Sequence, residues 1–389
     1  MTGRTARTGT GVAKRRWMPR GTVVHYCVRP PDFLRTHEGI TQSLLARAIA
    51  HLKDYDFAAH QEPELPAAGA HHRFLVPDET LVGLERAAAM NVKTPHDIFG
   101  GVVPHPFVRT KAITHPLVSG HAARPSGWCD RFSARVCDTV LPGYTAFHRA
   151  DARVAAARLL TDGPVRVKRT TAAGGRGQWV ATSPRDVEAA LDEFEESEIA
   201  EYGVVLEANL WDVTTYSVGH VTLDEVVITY HGTQRETPDN AGRYVYGGSD
   251  LVVVRGGFDV LQRLPLACET RRAITLARTY DEAAHGELGV FASRRNYDVA
   301  SGRDAKGRSR WGVLEASWRI GGASGAELAA IAKFREDPGL RVVHASCVEA
   351  YGSEHEPPPR ATIHFAGTDP TAGPMLRYVH VSPQSQAAA

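Results

Sequence analysis

The sequence predicts an α/β (α+β) fold divided into two or three lobes. A chain of 389 residues is too long for one compact core, so more than one lobe is expected. Strand patterns such as residues 23–28 alternate with helix patterns such as residues 40–52, as they do in α/β proteins. An irregular stretch rich in Gly, Pro and Arg, residues 121–144, separates two such regions and predicts a lobe boundary.

The region before this boundary predicts a small α/β lobe. Its apolar runs and helical spacing predict, in order, a strand over 23–28, a helix over 40–52, a strand over 74–76, a helix over 81–90 and a strand over 112–117. The first strand is not followed by a G-x-G-x-x-G sequence, which disfavours a dinucleotide site of the Rossmann type.

The region after the boundary predicts helices and longer strands. A helix over 151–160 precedes a β-hairpin over 165–182, and Ser183, Pro184 and Asp186 are typical of the start of the next helix. The remaining patterns predict strands at 204–206, 215–230 (a pair turning at residues 224–225), 251–254, 297–314 (a second pair), 342–348 and 361–365, and helices at 271–284 and 326–334.

Composition restricts the expected partners and compartment. Lys+Arg total 45 and Asp+Glu total 44, and this balance argues against nucleic acid as the main partner. Five cysteines without a C-x-x-C pair favour a reducing, cytoplasmic setting, and the absence of a long apolar run argues against a membrane span. The basic residues 1–20 and the residues 381–389 predict disordered tails.

The tip of the predicted hairpin is a candidate anion site. Gly174, Gly175, Arg176 and Gly177 allow backbone N–H groups to approach an oxyanion closely, and Lys168 on the first strand can place a positive charge on a phosphate. The loop is not a Walker A loop, because a strand follows it and no Gly-Lys-Ser/Thr is present. The alternative is a surface hairpin with a solvated lysine.

A late strand is a candidate metal site. Strand alternation over residues 313–319 puts Glu315, Ser317 and Arg319 on one face, and Asp298 on the preceding strand adds a second carboxylate. Carboxylates are suitable ligands for magnesium, and a guanidinium is suited to a phosphate or a substrate carboxylate. The alternative is an edge strand with a Glu–Arg ion pair.

Together, the two segments resemble the ATP-grasp superfamily over residues 141–367. The resemblance implies that the glycine-rich hairpin closes over a triphosphate and that Lys168 contacts phosphates. It also implies a nucleoside site at Glu207, Ala208, Asn209 and Leu210, and magnesium ligands at Asp298, Glu315 and Ser317. The implied lobes are an N-terminal pre-ATP-grasp-like domain over 21–140, a small lobe over 141–205 and a large lobe over 206–380. Residues 293–298 and 317–324 also resemble an uncharacterised bacterial family labelled biotin-carboxylase-like.

Two departures from that superfamily concern the nucleotide site. Ser317 stands where an asparagine is usual, and a hydroxyl is a weaker magnesium ligand. The superfamily also places another lysine upstream of the hairpin, whereas this chain has no lysine between Lys111 and Lys168. Arginine could substitute for it at Arg135, Arg149 or Arg153, or the site could be degenerate.

The resemblance implies an ATP- and Mg²⁺-dependent ligase. A small-molecule carboxylate would be activated as an acyl phosphate and attacked by an amine or another nucleophile, with Arg319 and Lys168 as catalytic residues. The alternative is a catalytically degenerate nucleotide-binding or regulatory protein on the same fold, and a homo-oligomer is left open. Either interpretation requires the hairpin tip near residue 175 to face the acidic strand near residue 315.

Overall fold

The structure is a computed structural model, and it describes residues 21–61, 71–172 and 176–382. The predicted basic tail 1–20, Gly174 and Gly175 at the hairpin tip, and residues 383–389 of the predicted C-terminal tail lie outside these ranges. Within the described residues the strands form four sheets. None of the described helices is long and apolar enough to cross a membrane.

The first sheet is parallel and belongs to the N-terminal region. Its order is β2-β1-β3, with β1 at Gly21–Cys27, β2 at Asp56–Gln61 and β3 at His72–Pro77. Helix α1, His37–Lys53, makes the crossover that parallel strands require, and the Thr36 side chain caps it by accepting from the Gly39 N–H.

A second, small sheet joins distant parts of the chain. Its order is β13-β5-β4, with β4 at Leu81–Val82, β5 at Gly101–Val103 and β13 at Phe291–Ala292. The predicted helix over 81–90 is divided into β4 and the short helix α2, Leu84–Ala89, because Gly83 between them has a φ of 93°.

Two other predictions near the lobe boundary were wrong. The predicted strand over 112–117 is a 3₁₀ helix, Lys111–Thr114, because the Thr110 hydroxyl accepts from the Ala112 N–H and starts a turn there. The stretch 121–144, predicted to be irregular, contains helix α3, Asp130–Val136. Phe132 and Val136 of α3 are buried in the main hydrophobic cluster, which accounts for this helix.

The third sheet contains the predicted hairpin. Its antiparallel order is β6-β9-β7-β8, with β6 at Gly143–Ala146, β7 at Val165–Arg169, β8 at Gln178–Ala181 and β9 at Val204–Ala208. Its region includes the helices α4 (Arg149–Leu160), α5 (Pro184–Leu191) and α6 (Glu196–Tyr202). Helix α5 begins with the predicted cap, in which Ser183 and Asp186 form a capping box.

The fourth sheet is an eight-stranded antiparallel sheet of order β15-β14-β10-β11-β12-β16-β18-β17. The strands are β10 (Trp211–Leu223), β11 (Val226–Pro238), β12 (Tyr244–Arg255), β14 (Arg294–Arg303), β15 (Ser309–Ser317), β16 (Val342–Tyr351), β17 (Thr362–Asp369) and β18 (Gly373–Val381). The helices of this region are α7 (Phe258–Leu261), α8 (Cys268–Glu287) and α9 (Ser324–Glu336).

The helices cover the two faces of this sheet. On one face, Ile331 and Phe334 of α9 pack with Leu251 of β12, in the same cluster as residues of α1. On the other face, Tyr280 of α8 packs against Tyr297 of β14. Residues 209–210 connect β9 to β10 and therefore join the third and fourth sheets. The predicted domain boundaries stay a prediction.

Candidate functional site

Two carboxylates form the acidic part of the site. Asp298 on β14 lies directly opposite Glu315 on β15, so their side chains share one face of the large sheet. Gln234 Nε2 donates to Asp298 Oδ1 at 2.7 Å. Burial and the neighbouring charge of Glu315 raise the pKa of Asp298. Two adjacent carboxylates repel each other, and a hard divalent cation between them would relieve that repulsion.

Lys111 is the basic partner of that pair. Its Nζ lies 2.7 Å from Glu315 Oε2 and also donates to the carbonyl of Ala172, which lies in the hairpin loop. Burial raises the pKa of Glu315, but the charge and hydrogen bond of Lys111, with Lys168 and Arg319, outweigh it and lower this pKa. Lys111 therefore connects the hairpin to the acidic strand.

Sequence reasoning missed Lys111. It is the nearest lysine before Lys168, but in the sequence it only marks the start of a lysine-free stretch. The predicted strand over 112–117 obscured its role, because a 3₁₀ turn directs the chain differently from an extended strand. The three arginines that could substitute for an upstream lysine form ion pairs elsewhere: Arg149 with Asp192, Arg153 with Glu188 and Arg135 with Glu287.

Lys168 belongs to a buried cluster of three ionisable groups. Its ammonium forms an ion pair with Glu207, and both side chains are almost fully buried. The other oxygen of Glu207 lies 3.0 Å from Nε2 of the buried His115. Burial raises the pKa of Glu207, but Lys168 and His115 together lower it to about 2. Lys168 is also close enough to the acidic strand for its charge to lower the pKa of Glu315.

The predicted nucleoside segment forms the connection between the sheets. The N–H of Ala208 donates to the Pro142 carbonyl at 2.8 Å, and that of Asn209 donates to the Pro164 carbonyl at 3.0 Å. Asn209 Oδ1 accepts from Arg166 at 2.7 Å. Leu210 is buried in a small apolar cluster, whose other members are Leu141, Ala300 and Leu314. Leu314 of this cluster is the residue directly before Glu315 on β15.

Arg176 and Gly177 are the described residues of the glycine-rich hairpin tip. Gly177 has a φ of 63°, a conformation that favours glycine, and its carbonyl accepts from the Arg169 N–H at 2.8 Å. Arg176 is exposed and lies near Tyr351 of β16: burial raises the pKa of Tyr351, and the charge of Arg176 acts in the opposite direction. Gly174 and Gly175 lie outside the described residues.

Ser317 and Arg319 have partners that the sequence did not indicate. Ser317 Oγ accepts from Nη1 of Arg294 at 3.3 Å. Arg319 lies beyond the end of β15, and its guanidinium is 3.7 Å from Glu79 and 3.9 Å from Glu38 in the N-terminal region. The alternative Glu–Arg pair within the strand is therefore replaced by the Lys111–Glu315 pair.

The residues present fit a magnesium ion that retains other ligands. Within the described ranges, no group of three or more His, Cys, Asp or Glu side chains gathers as a metal site. Asp298 and Glu315 supply two carboxylates, and magnesium is commonly held by one or two carboxylates with water and substrate phosphates completing its shell. Two carboxylates on one face are therefore compatible with a magnesium ion whose other ligands are water and phosphate oxygens.

Comparison with solved structures identifies the fold. N5-carboxyaminoimidazole synthetase from Staphylococcus aureus, solved with ADP, has 10% identity and a TM-score of 0.55 over 94% of this chain and 95% of that chain. The corresponding synthase from Aspergillus clavatus, solved with ADP and 5-aminoimidazole ribonucleotide, has 12% identity and a TM-score of 0.52 over 94% and 95% of the two chains. Both are ATP-grasp proteins, so the predicted ATP-grasp fold is confirmed.

Sequence comparison identifies a family whose description assigns no activity. No curated protein matches the chain. A family model described as "Protein of unknown function (DUF3182)" matches residues 27–379.

Proposed function

The chain belongs to the DUF3182 family, and we propose that it is an ATP- and Mg²⁺-dependent ligase that activates a small-molecule carboxylate. The observation that carries this proposal is the position of Lys111. Its ammonium contacts both the Ala172 carbonyl of the hairpin and the Glu315 carboxylate, beside Asp298. A cation on the hairpin side and two carboxylates on the sheet side are the charges that a magnesium–triphosphate requires.

The proposed phosphate contacts come from three cationic side chains. Lys111 would exchange its contact with Glu315 for one with a phosphate, and Lys168, whose charge already acts on Glu315, would add a second positive charge. Arg319 would bind the γ-phosphate or the substrate carboxylate. The N–H groups of the tip, Gly174 to Gly177, would complete the contacts as the hairpin closes.

The proposed metal and nucleoside contacts follow from the same geometry. Asp298 and Glu315 would hold magnesium; the resemblance also implies Ser317 as a third ligand, although its hydroxyl accepts from Arg294. Magnesium, when bound, would neutralise the charge of the phosphates and orient them. The adenine would lie against the apolar surface of Leu210, with polar contacts from the segment that contains Glu207, Ala208 and Asn209. That both similar structures were solved with ADP supports an adenine nucleotide as the ligand.

In the proposed reaction, the substrate carboxylate attacks the γ-phosphorus of ATP. An acyl phosphate forms and ADP leaves; an amine or another nucleophile then attacks the acyl carbon and releases inorganic phosphate. The chain's residues position the reactants and stabilise charge, and the closed hairpin would keep water from the acyl phosphate. No protein nucleophile is required.

A second candidate is a nucleotide-binding protein without turnover. The contacts that favour it are the mutual pairing of Lys168 and Glu207 and the engagement of Ser317 by Arg294. Both contacts occupy groups that a ligase would use on its ligands.

The two candidates differ in a measurable way. The ligase should be stabilised by ATP with Mg²⁺ in a thermal-shift panel, and a screen of carboxylates with amines should then give stoichiometric ADP and phosphate. The binding protein should show the stabilisation without turnover in any mixture. A chain that Mg²⁺-ATP does not stabilise contradicts both.

A further inference from the structure

We propose that the side-chain oxygen of Asn296, and not the hydroxyl of Ser317, is the third protein ligand of the cation held by Asp298 and Glu315. The inference rests on the proposed function, since it concerns the same metal site. Asn296 lies two residues before Asp298 on β14 and directly opposite Ser317 on β15. Side chains at these positions share one face of the sheet, so the four residues form two adjacent cross-strand pairs.

The orientation of the Asn296 amide is fixed by its neighbours. The hydroxyl of Tyr230 donates to Glu327 Oε1 at 2.6 Å, so its proton is committed and its oxygen accepts. Asn296 Nδ2 donates to that oxygen at 3.1 Å and to Ser217 Oγ at 2.7 Å, which occupies both amide hydrogens. A flipped amide would place its oxygen against the Tyr230 oxygen, and the two acceptors would repel.

This orientation directs the Asn296 oxygen toward β15, the strand that carries Glu315. Ser217 and Tyr230 lie on β10 and β11, on one side of β14, whereas β15 lies on the other side. Because the amide is planar, an Nδ2 that points toward β10 and β11 leaves Oδ1 on the side of β15. There Ser317 is opposite Asn296, and Glu315 is the next residue of β15 on the same face. An amide oxygen of this kind is a good ligand for magnesium.

Ser317 is poorly placed for the same task. Its Oγ and its carbonyl both accept from Nη1 of Arg294, at 3.3 and 3.4 Å. Arg294 is buried and carries a full charge, which Glu327 balances at 2.8 Å. A cation that used Ser317 Oγ would have to approach this guanidinium, and like charges repel strongly where water is excluded. Arg294 therefore prevents the Ser317 hydroxyl from acting as a metal ligand, and Asn296 takes that role.

The test compares Asn296→Ala with Ser317→Ala in the full chain. The probe is Mn²⁺, titrated by electron paramagnetic resonance in the presence of saturating ADP. We expect Asn296→Ala to weaken Mn²⁺ binding on the order of tenfold or more, and Ser317→Ala to change it by no more than about twofold. The reverse order, or equal values for both variants and the parent, overturns the inference.

Two measurements keep the test independent of folding. Asn296→Asp keeps the shape of the side chain and adds a carboxylate, so it should bind Mn²⁺ more tightly than the parent without nucleotide; a purely structural asparagine predicts no gain. In the unmutated chain labelled with ¹³C-asparagine, a ligating amide gives a ¹³C hyperfine coupling to bound Mn²⁺, and absence of that coupling contradicts the proposal.

The failure of this inference differs from failure of the proposed function. If the parent binds Mn²⁺ with ADP and only the Asn296 results disagree, the ligand assignment is wrong and the metal–nucleotide site stands. If the parent binds no Mn²⁺ with ADP, both the assignment and the proposed function are contradicted.

Discussion

At the scale of the residue, Lys111 connects parts of the molecule that are far apart in sequence. It contacts the hairpin through Ala172 and the acidic strand through Glu315. Two such contacts hold the hairpin loop close to the carboxylate of Glu315. A lysine in this position can exchange its carboxylate for a phosphate, because its ammonium is a compact charge on a flexible stem.

Replacing Lys111 therefore tests the phosphate role. Lys111→Ala should lower ATP affinity in the presence of Mg²⁺ by about tenfold or more, since a charge-assisted hydrogen bond contributes on the order of 1.5–3 kcal/mol. Isothermal titration measures this affinity. Lys333→Ala is the control, because Lys333 is half-exposed and pairs with Glu336 on α9. Equal ATP affinities for the two variants contradict the role of Lys111.

Glu207 predicts a dependence of stability on pH. Its pKa is about 2 in the folded chain, below the ordinary value of 4.5. The ionised form therefore stabilises the fold above pH 4.5, and this contribution is lost as the pH falls toward 2. Glu207→Gln should lower the free energy of unfolding by about 3 kcal/mol at pH 7, and less as the pH falls below 4.5. Denaturant unfolding at several pH values measures the difference.

A difference in the free energy of unfolding between the parent and Glu207→Gln that stays constant from pH 7 to pH 3 contradicts this account.

The same buried cluster alters what is expected of Lys168→Ala. Among the described residues, that variant leaves Glu207 with His115 as its remaining partner, so we expect it to lower stability as well as ATP affinity.

At the scale of the element, patterns that are local in sequence predicted the structure well. The hairpin over 165–182 and the capped start of α5 depend on neighbouring residues, and both are present. The predicted strand over 112–117 was wrong because the cap at Thr110 and the packing of the buried Ile113 outweigh the propensity of a short apolar run. Strand β13 has two residues, and its partner β5 is remote in sequence, so no local pattern could indicate it.

In the candidate site, too, features that are local in sequence could be predicted and contacts between distant elements could not. The sequence predicts that a hairpin brings Asp298 near Glu315, and the observed register pairs the two residues, because a hairpin register is a local property. The partners of Ser317 and Arg319, namely Arg294 and Glu79, come from other elements and could not be read from spacing. A role for Lys111 could not be predicted without knowing how the 3₁₀ turn packs on β15.

Strand β5 makes a prediction about the packing behind the site. A Cβ atom at Gly101 would lie 2.8 Å from Trp318 Cβ and 2.9 Å from Ala292 Cβ, which is too close for either. Gly101→Ala should therefore displace Trp318, adjacent to Ser317 and Arg319, and lower the free energy of unfolding by about 1–3 kcal/mol. Denaturant unfolding measures the loss.

The control for this change is Gly120→Ala, because a Cβ at Gly120 meets no atom within 4 Å. We expect the control to alter stability by no more than about 0.5 kcal/mol. If Gly101→Ala is as stable as Gly120→Ala, the tight packing between β5, β13 and Trp318 is not what positions the end of β15.

At the scale of the whole molecule, the site lies where three regions meet. The hairpin sheet supplies Lys168, the large sheet supplies Asp298 and Glu315, and the N-terminal region reaches Arg319 through Glu79. The connection at residues 209–210 joins the first two regions directly. Closure of these regions on a nucleotide would bring the cationic and acidic groups onto opposite sides of the phosphates.

The most direct test of this account is the effect of Mg²⁺ on ATP affinity in the parent and in Glu315→Gln, measured by isothermal titration. The account predicts that Mg²⁺ strengthens ATP binding to the parent by about tenfold or more and has little effect on the variant, since the variant lacks one of two carboxylate ligands. If Mg²⁺ strengthens ATP binding equally in both proteins, or in neither, the carboxylate pair is not a metal–nucleotide site.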